Sequence, residues 1–125
     1  MRNINHNLFS DERLIALGSP RDLRFIRQMD IVFLRSESCY TKIYLADNSC
    51  FMVCRTLKNY EVELDDHLFF RCHKSYMVNL LHINRVIRNN NDQLLLDTGT
   101  RVPIARRKVG ELKRVMGQSP MTIYR

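Results

Sequence analysis

The chain has 125 residues, 45% of them hydrophobic, with only 4 Gly and 3 Pro, which suits one packed domain and excludes low-complexity disorder. Its 20 Lys and Arg outnumber 13 Asp and Glu, for a formal charge of +7. No apolar run reaches the roughly 18–20 residues of a membrane span, and residues 1–7 lack the character of a secretory signal.

Most of the chain reads in period two, as short apolar runs separated by turn residues, the pattern of strands. After a polar lead-in (residues 1–11), a first strand is predicted at 13–17 (RLIAL), closed by Gly18, Ser19 and Pro20. Strands at 31–35 (IVFLR), 41–46 (TKIYLA) and 50–54 (CFMVC) follow, with Asp47 and Asn48 as a tight turn. Together the four read as an antiparallel meander. The period then changes: Leu57, Tyr60 and Leu64 recur at helical spacing behind Thr56, a suitable N-cap, and predict a short amphipathic helix. Residues 69–78 (FFRCHKSYMV) read as one extended run with a polar centre, and Asn79 as a cap or turn residue. Short strands at 85–88, 93–98 and 101–105 are separated by turns at 89–92 and 98–100, and Pro103 confines the last strand to an edge or an end. Val109, Leu112, Val115 and Met116 line one face of a closing helix, which Gly110 weakens by about 1 kcal/mol relative to Ala. Residues 117–125 are a tail. Eight or nine strands with one or two short helices make a mainly β, antiparallel fold, and three-helix DNA-binding architectures fail on periodicity.

The chemistry-bearing residues point away from catalysis. Cys39, Cys50, Cys54 and Cys72 show no C-x2-C pair of a zinc site, and with no secretory signal they read as buried, reduced thiols. Cys50 and Cys54, four apart on a strand, share a face, so both point into the core or both into solvent. His6, His67, His73 and His82 lack metal-ligand spacing, and Cys72 beside His73 is a poor nucleophile–base pair because strand neighbours face opposite ways. With no Gly-rich phosphate loop, the expectation is no enzyme, no metal and no cofactor.

The charge is uneven. Residues 101–125 carry seven basic groups and one acidic, whereas residues 31–70 carry four basic and six acidic. A one-sided basic surface attracts polyanions, although a solvated Lys/Arg-rich helix has the same composition. Duplex DNA, RNA or single strands, and a protein-interaction role all stay open at this level. Single-strand binding would call for stacking aromatics, for which Tyr40 and Tyr76 are the candidates.

Residues 69–107 carry a more specific signal. The stretch FFRCHKSYMVNLLHINRV resembles the signature of LytTR-type DNA-binding domains, the effector part of LytR/AlgR-family transcriptional response regulators, through Phe69 or Phe70, Arg71, His73, Ser75, Val78, Asn79 and Ile83. A later family element, Pro-hydrophobic-Ser-Arg-Arg, is matched at Pro103, Ile104, Arg106 and Arg107, with Ala105 where the family has Ser. Upstream, MDIVFLRSESCYTKIYLADN is similar to the family's first strand and the exposed loop after it, although Leu34 and Arg35 stand where the family often has Glu. The likeness covers residues 12–116.

The resemblance implies an elongated antiparallel β-sandwich that binds double-stranded DNA in the cytoplasm as part of two-component transcription control, with loops between strands entering adjacent major grooves. It also implies paired DNA repeats, a homodimer on DNA, and a regulatory domain or partner outside this chain. Three loops are the expected contact sites. They are the segment 37–42, the segment 71–75 and the helix start at 106–108. By analogy, Tyr40, Lys74 and Arg107 are base-proximal, while Lys42, Arg106 and Lys108 meet phosphate. Arg71, His73 and Ser75 either touch DNA or hold the loop, and read as one strand they share a face opposite Phe70, Cys72 and Lys74. Amides at the last helix's N-terminus offer a further phosphate contact. Cys72 beside the basic loop has two readings, a thiolate favoured by the cations or an inert buried thiol, and inert burial is the expected state.

Overall fold

The computed structural model describes residues 13–117; the whole lead-in (residues 1–11), which includes His6, and tail residues 118–125 lie outside the described residues. The described strands are β1 (Leu14–Ser19), β2 (Asp22–Arg27), β3 (Ile31–Glu37), β4 (Tyr40–Leu45), β5 (Cys50–Val53), β6 (Phe69–His73), β7 (Tyr76–Asn79), β8 (Ile83–Ile87), β9 (Gln93–Leu96) and β10 (Arg101–Pro103). The described helices are α1 (Leu57–Glu63) and α2 (Lys108–Val115). All the strand pairings are antiparallel. Among the described residues, no helix is long and apolar enough to cross a membrane.

Three sheets result: a β1–β2 ribbon, a central sheet in the order β5-β4-β3-β7-β6, and a small sheet in the order β10-β9-β8. The central sheet is apolar on both faces. One face packs Ile31, Leu34, Ile43, Leu45 and Met77 against Ile15 and Leu17 of the ribbon and against Leu57 and Tyr60 of α1. The other packs Val32, Phe33, Phe70, Cys72 and Val78 against Leu94, Leu96 and Val102 of the small sheet and Val109 and Leu112 of α2. This two-sided burial explains why the IVFL run of β3 does not alternate. A bulge between Ile31 and Phe33 turns Val32 and Phe33 to the same side, and all four residues are buried.

Two expectations change. The first strand is not part of the meander. It pairs with β2, which the sequence does not announce because β2 is exposed except at the half-buried Ile26. Gly18, at φ +123°, is required there, since a Cβ would overlap the Asp22 carbonyl. The 69–78 run is also not one strand: β6 and β7 form a hairpin that turns at Lys74 and Ser75.

Three local predictions hold, at Thr56, Asn79 and Pro103. Thr56 caps α1 by accepting from Asn59 N–H, and Asn59 Oδ1 accepts from Thr56 N–H, which closes a capping box. Asn79 caps a single 3-10 turn at Leu80–His82. Pro103 ends the edge strand β10. The single apolar face expected of α2 does not hold: only Val109 and Leu112 are buried, while Val115 is exposed on the side toward β6 and Met116, just past the helix, lines an open groove of about 600 Å³ against β8.

Candidate nucleic-acid interface

The three expected loops meet at one end of the central sheet. β3 and β7 are antiparallel neighbours, with Leu34 opposite Met77 and Arg35 opposite Tyr76, so the β3–β4 and β6–β7 turns emerge side by side. Ser36 N–H donates to the Ser75 carbonyl at 2.8 Å and joins them. The segment before α2 is tied to the same place by Ala105 N–H, which donates to the Cys72 carbonyl at 2.9 Å. Ile104 N–H donates to the Asp92 carbonyl at 3.2 Å, which brings in the β8–β9 turn as a fourth loop.

Lys74 and Ser75 make the β6–β7 turn without the usual Gly, Asn or Pro, and side chains hold it instead. Arg71 donates from Nε to the His73 carbonyl at 3.1 Å, from Nη2 to the Lys74 carbonyl, and from Nη1 to Glu61 Oε1 at 2.8 Å. His73 Nδ1 accepts from Ser75 N–H at 3.1 Å, which leaves the neutral ring's proton on Nε2. The ring meets Tyr76 edge-on at 5.8 Å. The one-strand face assignment therefore fails, since Lys74 and Ser75 are turn residues. Lys74 is exposed, and its side chain makes no hydrogen bond or ion pair among the described residues.

The other candidates divide by whether a carboxylate holds them. Arg107 is exposed, with no side-chain capping bond at the start of α2, and Tyr40 is 42% exposed at the first position of β4. Lys42 lies 3.3 Å from Glu37, Arg106 4.0 Å from Asp92, and Lys108 3.2 Å from Glu111. The Lys108 ammonium also sits over the Phe70 ring. The amides at the helix start are partly spent, because Lys108 N–H donates to Ala105 and Val109 N–H to Arg106 within the loop. Three residues here were missed by sequence reading. Arg35 lies in register between Lys42 and Tyr76, and its position just after a buried run was the available signal. Glu61 and Asp92 act through contacts distant in sequence, which no local pattern reveals.

The expected burial of the cysteines holds for Cys72 and fails for the other three. Cys39, Cys50 and Cys54 are exposed, and of the two alternatives for Cys50 and Cys54 it is the solvent-facing one that holds. Cys72 is fully buried, and burial pushes its thiol up to about 12, outweighing the nearby Arg71 and Lys108. It is no activated thiolate.

The pattern of the LytTr DNA-binding domain matches residues 21–117. The chain belongs to the LytTr DNA-binding domain family. Within curated proteins it is similar to the sensory transduction protein LytT of Bacillus subtilis, at 26% identity over 88% of this chain and 46% of that protein. It is also similar to the CO-responsive transcriptional regulator RcoM of Rhodospirillum rubrum, at 29% identity over 83% and 45%. The chain thus spans about half the length of these relatives. In fold it is similar to the LytTr DNA-binding domain of a putative methyl-accepting/DNA response regulator from Bacillus cereus, with a TM-score of 0.70, 21% identity, and coverage of 83% of this chain and 96% of that one. The family is one of DNA-binding domains.

Proposed function

We propose that the chain binds specific double-stranded DNA sequences and regulates transcription, with the loops at one end of the central sheet reading adjacent major grooves. The observation that carries this reading is the bonding of the β3–β4 turn, the β6–β7 turn and the segment before α2 into one surface that presents Tyr40, Lys74 and Arg107 without competing partners. These three are assigned to base edges, where Lys and Arg donate to guanine acceptors. Lys42, Arg106 and Lys108 are assigned to phosphates, which compete with their present carboxylate partners. Arg71, His73 and Ser75 hold the turn that aims Lys74. Binding of RNA or single strands is the weaker reading, because Tyr76 is packed against Phe33 and His73, which leaves Tyr40 alone for stacking.

The relatives named for sensing and regulation are about twice as long, which supports a regulatory domain or partner acting on this module. Paired repeats and a dimer on DNA belong to the same proposal. Selection of bound duplexes from a random pool tests it. An enriched motif, repeated at a fixed spacing and not competed by the matching single strand, is the expected result. Recovery of sequences without enrichment would overturn specific recognition.

A further inference from the structure

Asp92 is the most buried carboxylate near the interface, with its side chain 1% exposed. Its Oδ1 accepts from Asn89 N–H at 3.3 Å, while Oδ2 is buried with no hydrogen-bond partner among the described residues. Two arginines face that oxygen: Arg88 with Nε at 3.4 Å and Arg106 with Nε at 4.0 Å. A carboxylate removed from water is costly unless cations compensate it, so Asp92 holds both guanidinium groups electrostatically. Both turn the inner nitrogen of the fork toward Asp92. Their side chains remain 52% and 74% exposed, which leaves the terminal nitrogens for an external acceptor.

We infer that Arg88 and Arg106, set on Asp92, form a clamp for one DNA backbone phosphate, with Arg88 a DNA contact and Asp92 its positioning residue. The inference rests on the DNA-binding reading above and extends it to the β8–β9 turn. Two forks facing one buried oxygen lie close enough together to grip a single phosphate, which Arg recognises by parallel N–H donors. The loose 4.0 Å approach of Arg106 leaves its guanidinium free to turn its terminal nitrogens to the phosphate while the inner nitrogen stays near Asp92.

The test uses the full chain and the duplex recovered by selection, titrated at several salt concentrations. Arg88→Gln is expected to weaken binding to all duplexes alike and to lower the slope of log affinity against log salt by about 0.9, the loss of one phosphate contact. Asp92→Asn raises the net charge by one, so attraction by overall charge alone predicts tighter binding. The clamp predicts weaker binding instead. Thermal melts confirm that each variant is folded, and the exposed Arg88 keeps the test decisive should Asp92→Asn unfold. Unchanged affinity and slope in Arg88→Gln, with Lys74→Ala still weakening binding, would overturn the clamp and leave the DNA-binding reading standing. Unchanged binding in Arg88→Gln, Lys74→Ala and Arg107→Ala together would overturn both.

Discussion

Arg71 on β6 and Glu61 on α1 are joined by an ion pair of 2.8 Å, and the same guanidinium donates to the carbonyls of His73 and Lys74. The helix under the sheet is thereby coupled to the turn that presents Lys74. Removal of the guanidinium leaves two turn carbonyls without this donor, whereas removal of Glu61 costs only a half-exposed ion pair. Arg71→Ala is therefore expected to lose about 1–3 kcal/mol of stability, and Glu61→Gln about 0.2–1 kcal/mol. Arg71→Lys should resemble Arg71→Ala, because an ammonium cannot span three acceptors in the geometry of a guanidinium fork. Urea unfolding of the three variants checks the order. Equal losses for Arg71→Ala and Glu61→Gln would show that the turn carbonyls do not depend on Arg71.

Lys74 and Arg107 make the opposite case, since neither supports the fold. Both are exposed, and their side chains bond to nothing among the described residues. Their replacement by Ala is expected to leave folding stability within about 0.5 kcal/mol of the parent. Each should cost about 1–3 kcal/mol in binding to the selected duplex and relax its preference at the contacted base. Thermal melts paired with binding titrations separate the two effects. A loss of affinity that is uniform across sequences would reassign either residue to phosphate.

Much of this molecule was legible where one residue's chemistry answers to its neighbours. Thr56 and Asn59 announce the start of α1 within four positions, and Gly99, at φ +90°, announces the β9–β10 turn. What escaped the sequence depends on distant partners. The β6–β7 turn lacks Gly, Asn and Pro, and it is held instead by hydrogen bonds from Arg71 and to the ring of His73. The β2 strand escaped because Leu23 and Phe25 face solvent, so its alternation marks no buried side. The motif match named three loops that the fold brings to one end of the sheet, but only the fold brings Asp92 and Arg88 to the same end as Arg106.

Asn79 does more than end a strand. Its side chain is fully buried, with Nδ2 donating to the Ile31 carbonyl at 2.8 Å and the Met29 carbonyl at 3.3 Å, and Oδ1 accepting from Leu81 N–H at 2.8 Å. It thus stitches the entry to β3 onto the exit of β7. Asn79→Ala removes the 2.8 Å partners of the Ile31 carbonyl and of Leu81 N–H and is expected to destabilise the domain by roughly 2–6 kcal/mol, at about 1–3 for each of these two groups. Asn79→Asp should be no better, because it keeps the acceptor, loses the donors and buries a charge. A fall in the urea midpoint at unchanged slope is the expected signature. A midpoint within error of the parent would mean that water replaces the amide.

Cys72 gives the domain a dependence on alkaline pH and a thiol count that can be measured directly. Its thiol rises from an ordinary 9.0 to about 12 through burial, so the folded state keeps the proton longer than the unfolded chain does. Below pH 9 both states hold it and the stabilising difference is fully present. As pH rises from about 9 toward 12 the unfolded chain ionises first, and stability falls by about 1.4 kcal/mol per pH unit. Cys72→Ala lacks this component, so the stability gap between parent and variant should narrow across that window while other titrating groups cancel. In the native protein at neutral pH, an aromatic disulfide reagent should label Cys39, Cys50 and Cys54 promptly and reach Cys72 only as the chain unfolds. Prompt labelling of all four thiols would show that the core around Cys72 opens without global unfolding.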